Sequence, residues 1–214
     1  MARSRTFWIA LCIVAALLLW LQCGKRTYYP LVNSPPPAQG PVIAFGDSLT
    51  VGEGAPERRG YVGELERHLN IQILNRGRGG DTASDALRRL ETDVLAERPR
   101  IVLVCLGGND ILRRRNPDET FGALEQIVRR IQQQGALVIL IGIQGPPGGP
   151  GSDFGKRFRA LAERTGCPLV PDILDDIFGN RKRMADSIHP NAVGYALMAD
   201  RIEPILRAHL PPGN

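Results

Sequence analysis

A chain of 214 residues with 43% apolar and 6% aromatic content can bury one good core but not two, so a single globular domain is expected. The formal charge of +5 belongs to the amino terminus: of 27 basic residues, Arg3, Arg5, Lys25 and Arg26 stand in the first 40 positions, which hold no acid, leaving 23 basic against 22 acidic residues elsewhere. A body so close to neutral excludes a general electrostatic footprint for nucleic acid, and the basic runs Arg113, Arg114, Arg115 and Arg181, Lys182, Arg183 read as solvated loops.

Residues 7–21 are apolar without interruption, and the uncharged stretch continues through Gln22, Cys23 and Gly24. Spanning a bilayer takes about 17–25 residues, so the run is borderline sufficient, and no Ala-x-Ala cleavage site follows it. Residues 1–26 are therefore expected to be an uncleaved membrane anchor, with a signal segment, which fifteen apolar residues also suit, as the alternative. Cys23 offers a second route to the membrane because it resembles the lipidated cysteine of bacterial lipoproteins, although Gln22 and Trp20 are unusual beside it. Either route predicts a membrane-associated chain on the extracytoplasmic side. Residues 27–40 form a proline-rich linker, with Pro30, Pro35, Pro36 and Pro37 followed by Pro41, and read as a semi-stiff tether. The domain proper is then residues 41–214.

Beyond the linker, apolar runs of strand length alternate with segments of helical period. Residues 42–45, 71–74, 101–106 and 137–143 predict strands, with a short fifth at 169–170, and their continuous apolar character is what a sheet covered on both faces requires. Helices are predicted at 60–69, 83–97, 117–134, 152–164 and 192–210. Pro117 suits a first helical turn, and Gly135 suits a left-handed closing residue. This alternation predicts a three-layer α/β/α sandwich around a mainly parallel, doubly wound sheet of about five strands.

In such sheets, sites gather at the carboxyl ends of the strands. Ser48 follows the first strand in a Gly46-Asp47-Ser48-Leu49 turn; Gly79, Gly80, Asp81 and Thr82 follow the second; Gly107, Gly108, Asn109 and Asp110 follow the third; and Asp186 to Pro190 precede the last helix. Each also has an ordinary explanation. Glycines after strands make turns, Asp81 or Thr82 caps a helix, Asn109 closes an Asx-turn, and Asn191 caps the last helix.

A serine nucleophile needs a base, and there are three histidines. His68 lies on a charged helical face and His209 in a last helical turn, both surface readings. Only His189 is in a loop, where Asp186, three residues earlier, can accept its Nδ1 proton if the loop forms one turn. Backbone N–H groups of Ser48 and Gly80 and the Asn109 side-chain amide are candidate donors to a developing oxyanion. A lone loop histidine with one carboxylate lacks the cluster expected of zinc, so no metal and no cofactor are expected.

These four segments occur in the order of the four blocks of the SGNH, or GDSL, hydrolases, and the chain resembles the arylesterase, thioesterase and lysophospholipase branch of that family. The resemblance covers residues 42–209. It implies Ser48 as nucleophile, His189 as base, Asp186 as its orienting carboxylate, and the Ser48 amide, Gly80 and Asn109 as the oxyanion hole, on a flavodoxin-like sandwich. The implied activity is hydrolysis of carboxylic esters or thioesters through an acyl-enzyme. The expected partners are a small-molecule or lipid ester and the membrane, for a monomer.

A deacetylase of cell-envelope carbohydrate is the alternative within the family. A tethered non-catalytic binding module is the alternative outside it, and such a module ordinarily lacks a catalytic element, whereas every one is present here. The glycine-rich residues 144–152 border the predicted site, either as a lip over the acyl group or as a plain connection. Cys105 falls near the end of the third strand and Cys167 near the start of a later one, opposite ends of a parallel sheet, which argues against a disulfide between them.

Overall fold

The computed structural model describes residues 29–211; the predicted anchor, residues 1–26, lies outside them. The strands are β1 Val42–Gly46, β2 Ile73–Gly77, β3 Ile101–Cys105, β4 Leu137–Ile141 and β5 Leu169–Val170. They form one sheet, all parallel, in the order β2-β1-β3-β4-β5. The helices are α1 Ser48–Val51, α2 Tyr61–Leu69, α3 Ala83–Asp93, α4 Gly108–Leu112, α5 Pro117–Gln133, α6 Phe154–Thr165 and α7 Ala192–Arg207. Helix α2 packs on α7, whereas α3 packs on α5 and α5 on α6, which gives the two outer layers of a flavodoxin-like sandwich.

Each residue of β1, β3 and β4 is buried, as their unbroken apolar sequence requires. The edge strand β2 differs. It begins two residues later than its apolar run predicts and continues through Asn75, Arg76 and Gly77. An edge strand has one open side and tolerates polar residues, so apolar content locates it poorly. Helix α5 follows its sequence signals: Pro117 fills the first turn, Asn116 accepts from Asp118 N, and Phe121, Leu124, Ile127, Val128 and Ile131 are buried on one stripe. Gly135 follows with φ of +87°. The helix predicted over 83–97 divides into α3 and a 3-10 turn at Leu95–Glu97, and α7 ends at Arg207, three residues short of the predicted 210.

Two short helices, α1 and α4, were not predicted, because four or five residues display no period. The proline-rich linker is partly packed rather than free. Val32 N donates to Gly166 O (2.9 Å), and Asn33 Nδ2 donates to Gln132 O (2.9 Å) and Ala136 O (3.0 Å). The compact unit consequently starts at Leu31, ten residues before the boundary read from composition. Cys105 and Cys167 are both buried thiols, and burial pushes both well above the ordinary thiol range. Phe121 meets Phe154 and Phe158 edge-on, each at 5.0 Å between ring centres. This cluster joins α5 to α6 beneath the loops of the site.

Candidate active site

Strand β1 delivers Ser48 to the carboxyl edge of the sheet. Its last residue, Gly46, sits so close to β3 that a Cβ there would lie 2.4 Å from Cys105 O, so the strand end has no room for a side chain. Asp47 then caps α1, its Oδ1 accepting from Leu49 N at 3.0 Å. That turn places Ser48, half-buried, at the first position of α1. Its Oγ is 3.1 Å from His189 Nε2.

His189 arrives from the opposite side of the chain on a closed loop. Ala185 N donates to His189 O (2.9 Å), Met184 bridges Pro190, and Asn191 caps α7 through Val193 N and Gly194 N. Asp186 Oδ1 accepts the backbone N–H groups of Ile188 (2.8 Å) and His189 (2.7 Å), while Oδ2 is 2.8 Å from His189 Nδ1. The Ile188 amide bond, with the His189 side-chain and amide bonds, holds the Asp186 carboxyl down to about 2. An ionised carboxylate only accepts, so the proton of a neutral His189 ring is on Nδ1 and Nε2 offers its lone pair to Ser48. Ser48, His189 and Asp186 thus form one hydrogen-bonded chain capable of moving a proton off the serine hydroxyl.

One neighbour is absent from the sequence reading. Glu53 Oε2 lies 3.4 Å from His189 Nε2, and its backbone is pinned by Tyr195 Oη donating to Glu53 O at 2.7 Å. A second carboxylate therefore faces the imidazole on its serine side. Nothing in a Gly-Glu-Gly turn announces this contact, because it depends on α7 supplying Tyr195. His68 and His209 are both remote from the site and half-buried rather than on the surface. His68 Nδ1 is 2.8 Å from Glu203 Oε2 on α7, and burial lowers the His209 pKa.

Asn109, on α4, donates from Nδ2 to Asp81 O at 3.1 Å and makes a longer contact, 3.4 Å, with Asp47 Oδ2. The shorter bond orients the amide, and the longer one leaves an N–H that a better acceptor can claim. Gly80 has φ of +81°, and a Cβ there would meet only Arg113 Nη2, at 3.3 Å; its carbonyl accepts from that guanidinium at 2.7 Å. Gly80 borders the site one residue from Asp81 and is not among the pocket-lining residues. Thr82 caps α3 in a reciprocal box with Asp85, and Asp110 Oδ2 accepts Ala83 N (3.0 Å) while Oδ1 accepts Thr120 Oγ1 (2.9 Å).

Asp47 is buried beneath this arrangement, and burial, opposed by the Leu49 amide and reinforced by the nearby Asp110 carboxylate, pushes its carboxyl up to about 7 from an ordinary 3.8. A raised carboxyl pKa means that the folded chain holds the proton more tightly than the unfolded one. The associated stability is present below the ordinary value and is lost as the pH climbs through about 7. An Asp47→Asn variant keeps an acceptor for Leu49 N and has nothing to ionise. Relative to the parent, it should gain about 2–4 kcal/mol in urea unfolding between pH 5 and pH 8. An equal difference at both pH values would show that Asp47 does not titrate there.

The serine and imidazole open into a pocket of about 300 Å³ whose walls include Leu49, Ile111, Leu112, Ile143, Leu174 and Phe178. Gln144, Gly145, Pro146 and Pro150 also line it, which puts the glycine-rich segment after β4 at the site. Among the described residues, His68, Asp200 and Glu203 are the one trio whose ligand atoms lie within 4.8 Å of one another. They stand on the α2–α7 surface, where Arg207 already pairs with Glu203 at 2.7 Å.

Residues 44–197 match the family model described as GDSL-like lipase/acylhydrolase. The chain belongs to the GDSL-like lipase/acylhydrolase family. It is 31% identical over 175 residues to esterase TesA of Pseudomonas aeruginosa, covering 78% of this chain and 87% of that protein. It is 30% identical over 170 residues to thioesterase 1/protease 1/lysophospholipase L1 of Escherichia coli K12, covering 74% and 79%. A crystal structure of TesA superposes with a TM-score of 0.75 at 30% identity, covering 79% of this chain and 99% of that one. This GDSL chain is accordingly an ester hydrolase of the SGNH type, with the α/β fold that its strand–helix alternation predicts.

Proposed function

We propose that this GDSL hydrolase cleaves acyl esters or thioesters by two-step acyl transfer, with Ser48 as nucleophile. Ser48 Oγ attacks the carbonyl carbon while His189 Nε2 takes its proton; the C–O or C–S bond breaks and the same proton leaves with the alcohol or thiol. Water then adds to the acyl-enzyme, losing its proton to His189, and the proton returns to Ser48 as the acid departs. Asp186 keeps Nδ1 protonated and stabilises the imidazolium. The N–H groups of Ser48 and Gly80 and the Asn109 amide take the oxyanion.

The observation that carries this reading is the Ser48–His189–Asp186 chain, 3.1 and 2.8 Å, opening on an apolar pocket. An acetyl group would leave most of that apolar wall unused, so the pocket favours a longer acyl chain over an acetylated sugar. The names of the relatives, an esterase and a thioesterase/lysophospholipase, support the same choice. With the apolar run of residues 7–21 as anchor, the enzyme acts as a membrane-associated, extracytoplasmic monomer on lipid-derived esters. Among the described residues no helix is long and apolar enough to cross a membrane, so this tethering rests on the amino-terminal sequence.

The test is a series of p-nitrophenyl esters of increasing chain length, with acyl-CoA, lysophospholipid and acetylated sugar beside them. The kcat/KM should rise from acetyl to longer acyl groups, and a preference for the acetylated sugar would overturn the acyl-chain assignment. Asn109→Ala should lower kcat about 100-fold, a loss of about 3 kcal/mol in transition-state stabilisation, with KM little changed. A change in KM alone would remove Asn109 from the oxyanion hole.

A further inference from the structure

The mouth of the pocket carries side chains that acyl transfer does not use. Seven large apolar side chains are exposed among the described residues, and three of them, Leu112 (53%), Phe178 (49%) and Ile188 (37%), line the pocket that holds Ser48 and His189. Scattered exposed apolar residues need no explanation, but a cluster around one opening marks a contact surface.

Cations stand beside them. Arg114 lines the same pocket, and Arg115 follows it on the turn into α5. On the other wall, Arg181 and Lys182 follow Phe178 by three and four residues. All four are exposed, and none pairs with a carboxylate among the described residues. Their neighbours are committed: Arg113 to Gly80 O and Asp85, Arg183 to Asp176. The acids of the 171–191 wall are largely engaged as well, Asp176 by Arg183, Asp186 by His189 and Asp172 by Leu174 N, which leaves Asp175. One of the two basic runs that read as ordinary solvated loops in the sequence thus reaches the pocket through Arg114, and the other follows Phe178 of its wall within five residues.

We propose that this rim docks on an anionic phospholipid surface, with Leu112, Phe178 and Ile188 entering the acyl region and Arg114, Arg115, Arg181 and Lys182 at the headgroups. Apolar anchors combined with unpaired cations are the two signals that hold a protein at such an interface. A protein partner fits less well, since the centre of this patch is an open pocket, where a protein interface would need its best-packed contacts. Fluid acyl chains fill such an opening without a shape match, and an ester at the bilayer surface would then lie directly before Ser48. Only that last step rests on the esterase reading; the docking itself does not require catalysis.

Both tryptophans of the chain, Trp8 and Trp20, precede the described residues, which permits a test on the full chain. A Trp8→Phe/Trp20→Phe/Phe178→Trp variant carries one indole, at the rim. It is mixed with phosphatidylcholine vesicles containing brominated acyl chains, with and without phosphatidylglycerol. The indole should be quenched on the vesicles that contain phosphatidylglycerol and released by high salt. Adding Arg115→Glu, Arg181→Glu and Lys182→Glu should weaken rim attachment on the order of fivefold per cation, while hydrolysis of a soluble short-chain ester is unchanged. Absence of quenching on both vesicles, or equal quenching on both, would overturn the proposal. So would an indole shielded only when an acidic carrier protein is added, which would assign the rim to a protein partner. A chain that docks as expected yet hydrolyses no ester would refute the activity and leave the docking intact.

Discussion

Replacing Ser48 by alanine should lower ester hydrolysis by about 10⁴-fold or more, because the substitution removes the atom that forms the acyl-enzyme. The change is small in every other respect. Ser48 Oγ bonds to His189 Nε2, Asp47 still caps α1 through Leu49 N, and the His189–Asp186 pair is untouched. The variant should therefore unfold at the parent's urea midpoint while losing covalent labelling by a serine-reactive fluorophosphonate. Full hydrolysis by a folded Ser48→Ala protein would sink the nucleophile assignment. Residual activity after the substitution would come from the oxyanion donors acting on a water-mediated reaction.

The largest effect on stability is expected at Arg89, a residue that touches none of the reacting groups. Its side chain is 7% exposed and pairs with Asp81 Oδ2 at 2.6 Å and Asp93 Oδ2 at 2.9 Å. It also donates to Gly46 O and Arg76 O, each at 2.9 Å, and lies 4.5 Å over the ring of Phe45. Arg89→Met keeps the aliphatic stem but strands the Asp81 carboxylate, which is 10% exposed, while the Gly46 carbonyl still accepts from Arg78 N at 3.0 Å. Removing one member of a buried pair costs about 3–5 kcal/mol, or a Tm lower by about 10 °C in a domain of this size.

The same guanidinium connects two parts of the site. Gly46 ends the strand that aims Ser48, and the backbone carbonyl of Asp81 holds Asn109. Arg89→Met should consequently reduce kcat as well as stability. In an Asp81→Asn/Arg89→Met double variant no buried charge is left alone, so it should be less destabilised than Arg89→Met. A loss below about 1 kcal/mol in the single variant would mean that Asp81 finds water or another donor.

Arg88 and Arg89 show why part of this was illegible. They are identical neighbours in a charged helical segment, yet Arg88 pairs with Asp85 on the surface and Arg89 is enclosed. Helical phase separates their directions, but what covers Arg89 is the end of β1 and the loop after β2, which lie 43 and 8 residues away in the chain. Glu53 is hidden for a similar reason, since its approach to His189 joins residues 136 positions apart. Asp47 looks like an ordinary turn aspartate, and only its enclosure beside Asp110 raises its pKa. The edge strand β2 begins two residues later than its apolar run because an open edge relaxes the apolar pattern that marks β1, β3 and β4.

The residues alone point to a parallel sheet and to the candidates Ser48, His189 and Asp186, though not to the bounds of β2. They do so because unbroken apolar runs between helical segments are local signals and because one loop histidine stands among three. Tertiary structure alone decided that Ser48 and His189, 141 residues apart, meet at 3.1 Å, that Asn109 is oriented by Asp81, and that Arg89 ties the strand end to the loop beside it. It also decided that Leu112, Phe178, Ile188 and Arg114 line one pocket with Ser48 and His189. Those facts depend on which loops converge at the carboxyl edge of the sheet, and convergence is a property of the sheet order and its crossovers, to which no single stretch of residues has access.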